Sequence, residues 1–510
     1  MLARVMSLGI SGINGFPVAV EVDRSGGMPG FDVVGLPDAS VKESRERVRS
    51  ALRNSGMEYP VGHYTINLAP ADMKKEGPSF DLPIAVGVLV CAEAISQSSL
   101  DGVMMSGELA LSGAVNMING ALPMAIAARE LGYKRLILPR GNADEARCIS
   151  GIDIIPVDTI ADVMDCLNGT RPIKPLAAST YDDLISAREY SSDFADVHGQ
   201  RAAKRALEIA AAGSHNVIMV GEPGSGKTML ARCLPSILPD MTFEEALEVT
   251  RIHSVAGTNR GGGLMTARPF CAPHHTASAV SIVGGGANAM PGEISKAHRG
   301  VLFLDELPEY PRAVLEALRQ PLEDGSVTIT RAHAHAVYPA RLMLICSMNP
   351  CPCGYYGSRT HECRCSASDV RRYRNKVSGP LLDRIDIQIE VESVPVTQIA
   401  MKSAEEPSAK IRERVNAARQ IQIKRYAKEG ITCNAQLTAR MFEKYCKLTP
   451  SANQLLTSAA EMMRLSSRGY TRVLKVARTI ADLAGGGDIT ETHVAEAVQY
   501  RSLDGKYWNN

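Results

Sequence analysis

The sequence predicts a multidomain α/β protein closed by an α-helical block, and three features carry that prediction. A short apolar run, Val217-Ile218-Met219-Val220, leads at once into a glycine-rich loop and then into a helix start at Met229-Leu230-Ala231. A second apolar run, Val301-Leu302-Phe303-Leu304, ends in two acids, Asp305 and Glu306. Beyond about residue 396 strand signals give way to helical periodicity.

In chain order, residues 1–168 mix the two patterns. Val18–Val22 and Leu136–Leu138 read as strands, whereas Ser40–Asn54 and Met124–Leu131 read as helices. Residues 169–195 are polar and irregular, with Pro172 and Pro175, and read as a linker. Residues 196–395 form a second α/β block. Residues 396–510 carry helical periodicity over Ile411–Lys428 and Arg472–Leu483 and read as a helical lid. The 510 residues fit this count, since about three domains are expected at that length.

Composition narrows the classes. Apolar residues make up 45% and charged residues 22%, as in an ordinary globular protein. A net charge of +1 excludes a global basic field, so any nucleic acid would be held by local patches or by a ring of subunits. The longest apolar run, Leu82–Ala92, is too short to span a bilayer. The N-terminus, broken by Gly9, Gly12 and Gly15 and followed by Glu21, does not read as a signal peptide. No membrane is expected. Twelve cysteines without an export signal point to reduced thiols in a cytoplasm, or to metal ligands.

Gly221-Glu222-Pro223-Gly224-Ser225-Gly226-Lys227-Thr228 has the phosphate-loop pattern in the strand–loop–helix context it requires. Backbone N–H groups of such a loop wrap phosphates, and the helix N-terminus adds a favourable dipole. Lys227 can reach the β- and γ-phosphates of ATP, and the Thr228 hydroxyl can ligate Mg²⁺. Asp305 and Glu306 emerge at the carboxyl end of a strand, where open α/β sheets bind ligands. Asp305 suits Mg²⁺, and Glu306 suits polarisation of the attacking water. A third strand, Leu342–Cys346, runs into Ser347-Met348-Asn349. Asn349 there can orient the water, although an asparagine at a strand end is also an ordinary turn residue.

These motifs, together with Asp196–Gln200, Ala272-Pro273-His274-His275, Pro291–Ile294, Asn349-Pro350-Cys351-Pro352-Cys353-Gly354 and Gly379–Asp386, resemble the magnesium-chelatase-like AAA+ ATPases, and within them the ComM/YifB family. The resemblance covers essentially the whole chain. It implies a central AAA+ domain with a helix-2 insert at Ser281–Ala289 and a C-terminal helical lid. It implies that Asn349 is sensor 1, Arg384 an arginine finger and Arg468 sensor 2, with Arg472 as the substitute. Read alone, each arginine is equally a surface ion pair. Val327–Val337 reads as a hairpin carrying Arg331, His333 and His335; the resemblance implies that it points into a ring's pore, whereas from sequence alone a solvated hairpin tip is an equal reading.

Residues 1–168 resemble the S5-like α/β domain shared with Lon peptidase. Glu76-Gly77-Pro78-Ser79 resembles Lon's nucleophile segment, and Ile118–Pro139 the segment bearing its catalytic lysine. Laid without gaps, that lysine falls on Leu122. A serine needs a nearby base, so the domain reads as non-peptidolytic, with Lys74 or Lys75 the remaining candidates.

Cys351-Pro352-Cys353 and Cys363-Arg364-Cys365 are two C-x-C pairs nine residues apart. Four thiols in one loop suit a structural Zn²⁺, whereas one intervening residue is tighter than the usual two. Four reduced cysteines in a tight loop is the other reading.

The family resemblance implies an ATP-hydrolysing homo-hexamer, assembled with ATP and DNA, that drives branch migration on single-stranded and branched DNA during transformation, with recombination machinery as a further partner. Arg371, Arg372, Arg374 and Lys376 around Tyr373, and the basic helix Lys410–Lys428, are the local candidates for phosphate contact, although solvated charged faces are the commoner reading of such clusters. Three rivals are a chelatase-type motor on a protein partner, an ATP-dependent protease, which Leu122 disfavours, and a scaffold that uses ATP only to assemble, which an intact Glu306 disfavours.

Overall fold

The structure, a computed structural model, describes residues 1–177, 180–186, 188, 190–259, 262–286, 288–331, 334–358, 361–394 and 405–508. It is a mixed α/β fold with a helical C-terminal region, as the sequence predicts.

The first block is built on a seven-stranded sheet. Its order from edge to edge is Gly30–Val34, His63–Ala69, Asn14–Ser25, Leu2–Ser11, Val103–Met105, Arg135–Pro139 and Asp153–Val157. Leu2–Ser11 and Asn14–Ser25 form a long hairpin from Leu2↔Asp23 to Ser11↔Asn14. The expected strands at Val18–Val22 and Leu136–Leu138 lie inside longer ones. The apolar run at 82–92 is a helix, Asp81–Cys91, buried along its whole length because it is apolar on every face. No helix among the described residues is long and apolar enough to cross a membrane. The helix expected over Ser40–Asn54 is two, Ala39–Lys42 and Ser44–Asn54. The break falls where Ser44 Oγ and Arg47 Nε turn to the buried Asp81 carboxylate, at 2.5 and 2.6 Å.

The central block is a five-stranded, wholly parallel sheet in the order Phe270–Cys271, Val301–Leu304, Met343–Met348, Val217–Val220 and Ile387–Glu390. Val217–Val220 and Val301–Leu304 are buried on both faces, which is why they read as unbroken apolar runs. The insert expected at Ser281–Ala289 is a small hairpin between the short helices Ala279–Val283 and Glu293–Lys296. There Gly284–Gly285 pairs with Met290–Pro291. At Gly284, φ is +107° and a Cβ would lie 2.6 Å from the Met290 carbonyl oxygen, so only glycine fits. The expected pore hairpin pairs Ser326–Arg331 with Ala334–Pro339. His335 is exposed on it; His333 and the Arg331 side chain lie outside the described residues.

The last block contains the helices Ser408–Arg425, Ala439–Tyr445, Pro450–Met462, Ser467–Leu483 and Glu491–Gln499. Ser408–Arg425 and Ser467–Leu483 share one apolar core with the central helix Arg201–Gly213. The first block packs on the central one as well. The Gly120 N–H donates to the Ser254 carbonyl at 3.0 Å, and Arg251 Nη2 donates to the Ile13 carbonyl at 3.1 Å.

Candidate nucleotide site

Three central strands deliver their following loops to one edge of the sheet. Val217–Val220 runs into the phosphate loop, Val301–Leu304 into Asp305, and Met343–Met348 into Asn349. Because the strands are parallel and adjacent, all three loops meet at their carboxyl ends. Gly224 and Gly226 have φ of +78° and +92°, turning backbone N–H groups inward ahead of the helix Lys227–Cys233.

Lys227 Nζ donates to the carbonyls of Gly221 and Glu222, both at 2.8 Å, and lies 3.4 Å from Asn349 Oδ1. Burial pushes its ammonium down to about 8, against the opposing pull of Asp305, Glu306 and Glu222. Thr228 Oγ1 donates to Asp305 Oδ2 at 2.8 Å, which brings together two residues that would hold a Mg²⁺. Glu306 sits in the left-handed region, φ +53°, with its N–H 3.1 Å from Asp305 Oδ1. That backbone is sparsely populated for glutamate. It turns the carboxylate out of the sheet, leaving the side chain 54% exposed.

Two residues complete this edge that the motif reading did not assign. Ser347 Oγ donates to Asp305 Oδ1 and fixes the carboxylate from the neighbouring strand. A serine in an otherwise apolar buried strand was the available signal. His275 Nδ1 lies 3.7 Å from Glu306 Oε2, from the loop after Phe270–Cys271, and its ring packs at 4.0 Å from that of His274. Gln200 Nε2 ties the preceding segment to the phosphate loop through the Ser225 carbonyl, 3.0 Å.

Arg384 and Arg468 are elsewhere. Arg384 pairs with Glu323 and donates to the Pro380 carbonyl; Arg468 pairs with Asp383 at 3.1 Å. Both line a cavity of about 540 Å³, with Arg472 and Lys475, at the edge formed by Asn216, Gly300 and Met343. Those three residues begin or precede the strands, so the cavity and the phosphate loop lie at opposite edges of the sheet. The substitute, Arg472, is bound to the Ile385 carbonyl at 2.9 Å.

Cys351, Cys353, Cys363 and Cys365 come together, all four sulfurs within 4.8 Å of one another. The basic cluster divides. Arg371, Arg372 and Lys376 line an open groove of about 700 Å³ with Arg312. Arg374 is buried, with its guanidinium stacked over Tyr356 and Tyr507 at 4.8 and 4.4 Å, so its expected phosphate contact is replaced by a packing role. On the basic helix, Arg412, Arg414, Arg419 and Arg425 are spent on internal partners, leaving lysines outward.

In the first block Leu122 is fully buried in a core with Met104 and Leu136. Lys74 pairs with Glu76, and Lys75 is buried with its ammonium on the carbonyls of Pro70 and Met73.

Comparison with known proteins agrees with this geometry. The family described as "Magnesium chelatase, subunit ChlI" matches residues 193–399, "Subunit ChlI of Mg-chelatase" matches 20–142, and "Magnesium chelatase, subunit ChlI C-terminal" matches 405–501. Fold and site together define an AAA+ ATPase of the magnesium-chelatase-like class. The competence protein ComM of Haemophilus influenzae is 44% identical over 98% of both chains. YifB of Escherichia coli, a protein without assigned function, is 44% identical over 97% of this chain and 96% of its own. Lon protease 2 of Bacillus subtilis is 36% identical over 126 residues, 24% of this chain and 22% of the protease. The chain belongs to the ComM/YifB family of magnesium-chelatase-like AAA+ proteins.

Proposed function

We propose that the chain is the subunit of a ring motor, a homo-hexamer assembled with ATP and DNA, that hydrolyses ATP to migrate branch points in DNA during natural transformation. The observation that carries the ring is the separation of Arg384 and Arg468 from Lys227 and Asp305. A phosphate loop on one sheet edge and, on the other, arginines held by Glu323 and Asp383 complete a site only when a second subunit docks. Mg²⁺ would sit between Thr228 and Asp305, with Glu306 polarising the water and Asn349 orienting it. The DNA reading is supported by the name of the ComM relative, which refers to competence, and by the groove where Arg312, Arg371, Arg372 and Lys376 outnumber Glu309, which Lys376 pairs at 3.2 Å. The first block then serves assembly or DNA contact and not peptide cleavage, since Leu122 stands where Lon has its lysine. Twelve free thiols suit a cytoplasmic setting.

The test is ATP turnover of the purified chain alone, with single-stranded DNA and with a four-way junction. Stimulation at least about tenfold by the junction, with hexamers by native mass spectrometry, is expected. Turnover indifferent to all DNA would refute the DNA reading and favour a motor acting on a protein partner.

A further inference from the structure

The four cysteines sit against the nucleotide site, and their geometry is that of a metal centre. Cys351 Sγ is 3.4 Å from Cys353 Sγ and 3.7 Å from Cys363 Sγ, and Cys353 Sγ is 3.6 Å from Cys363 Sγ. Four thiolates around Zn²⁺ at about 2.3 Å define a tetrahedron with edges of about 3.8 Å, which these separations approach. The single residue between the paired cysteines is accommodated by a tight turn. The Gly354 N–H returns to the Cys351 carbonyl at 3.0 Å, with Gly354 at φ +90°. Backbone N–H groups of Tyr355 and Arg364 point at the Cys353 sulfur, the usual outer support of a thiolate ligand.

The same turn touches the catalytic edge at two places, and Arg374 braces it from the other side. Asn349 is two residues before Cys351, so its position is set by the turn that the thiols close. A Cβ on Gly354 would lie 2.6 Å from the Pro223 ring, which places the turn directly against the phosphate loop. Arg374 Nε donates to the Pro350 carbonyl at 3.3 Å, and its guanidinium stacks on Tyr356 within the cysteine loop.

We propose that Cys351, Cys353, Cys363 and Cys365 bind one Zn²⁺, and that this ion holds Asn349 and the phosphate loop in register for ATP hydrolysis. The second half rests on the reading of Asn349 as the residue that orients the water. Zinc is then a structural cofactor of turnover and takes no part in the chemistry. Without it the loop loses the crosslink between Cys351/Cys353 and Cys363/Cys365, and Asn349 loses its fixed position while the phosphate loop keeps its own glycines and Lys227.

Elemental analysis of the purified full-length chain should give about one zinc per chain. The double variant Cys363→Ser, Cys365→Ser should lose it, and turnover should fall at least about tenfold. A fluorescent ATP analogue should bind within about threefold of the parent, because the phosphate loop is intact. Should that variant unfold, the parent chain produced in cobalt-supplemented medium decides the metal. It should show the ligand-field absorption of tetrahedral Co²⁺ with thiolate charge transfer. A metal-free parent at full turnover overturns the proposal, and so does a folded zinc-free variant that hydrolyses ATP at the parent's rate. Asn349→Ala separates the two readings: it should keep its zinc and lose turnover. Undiminished turnover in that variant would refute the role of Asn349, and with it the brace, while leaving the zinc count standing.

Discussion

Replacing Arg384 with alanine tests whether the site is shared between subunits. The central strand Val217–Val220 spans four residues, about 13 Å at 3.3 Å per residue, and separates the phosphate loop from the edge that carries Arg384. No rotamer of an arginine anchored there brings its guanidinium round to its own subunit's γ-phosphate. The Arg384 side chain is itself 11% exposed, but its partner Glu323 is 58% exposed, so truncation leaves a solvated carboxylate, and circular dichroism of the variant should match the parent. Arg384→Ala should therefore bind ATP normally and lose on the order of 10³ in turnover, the scale of an absent arginine finger. Lys227→Ala should be equally dead, with its finger intact. In an equal mixture, roughly one interface in four pairs an intact phosphate loop with an intact finger, and turnover should return to that order of the parent rate. Phosphate release measured across mixing ratios, with mixed assembly confirmed by native mass spectrometry, reads this directly. A mixture as inactive as its parents, in rings shown to be mixed, would refute the shared site.

Two further outcomes follow from the catalytic edge. Glu306→Gln should retain ATP and Mg²⁺, because Thr228 and Asp305 are untouched, yet lose at least about 100-fold in turnover; an undiminished rate in single-turnover assays would remove Glu306 from its role. Lys227, held near 8 by burial, should take up a proton when phosphates arrive, since they favour its charged form. Affinity should therefore be level below about pH 7 and weaken by up to tenfold per unit as pH rises beyond 8, and titration calorimetry at pH 9 in two buffers should register proton uptake on binding. Binding at pH 9 with no uptake would contradict that account.

The parts of this site legible in the sequence are those whose chemistry is local. A phosphate loop needs its strand and helix within a dozen residues, and Asp305 needs only the strand before it. The sheet order was not legible, because Phe270–Cys271 is two residues long and Ile387–Glu390 contains the buried polar Gln388. In the sequence His275 is only part of a motif, since its meeting with Glu306 depends on two loops far apart in the chain. Arg374 is different, for its true role had a signal. It follows Val370 by four residues on the helix Ala367–Arg374, which puts both on the inward face, while Arg371 and Arg372 point out. Charge composition grouped what helical spacing separates. The arginines of Ser408–Arg425 repeat that lesson: their partners, among them Glu208, Asp482 and the carbonyls of Ala211 and Ala212, belong to other helices.

The two edges of the sheet are joined by one residue in particular. Asn216 immediately precedes the strand that ends in the phosphate loop. Its Nδ2 donates to the Arg384 carbonyl at 2.8 Å, and its Oδ1 accepts from the N–H of Leu344, on the strand that ends in Asn349. Its own carbonyl accepts from Asp386, just beyond Arg384. The arginine's backbone is thus pinned to the starting ends of the two strands whose finishing ends lead to Lys227 and Asn349. Buried parallel strands are stiff and do not absorb displacement as loops do. A shift of the phosphate loop or of Asn349 when the γ-phosphate leaves is therefore carried along Val217–Val220 and Met343–Met348 to Asn216, and from there to the backbone of Arg384. In the proposed ring, that backbone would carry the finger of the next site, and the two strands that lead to it are four and six residues long.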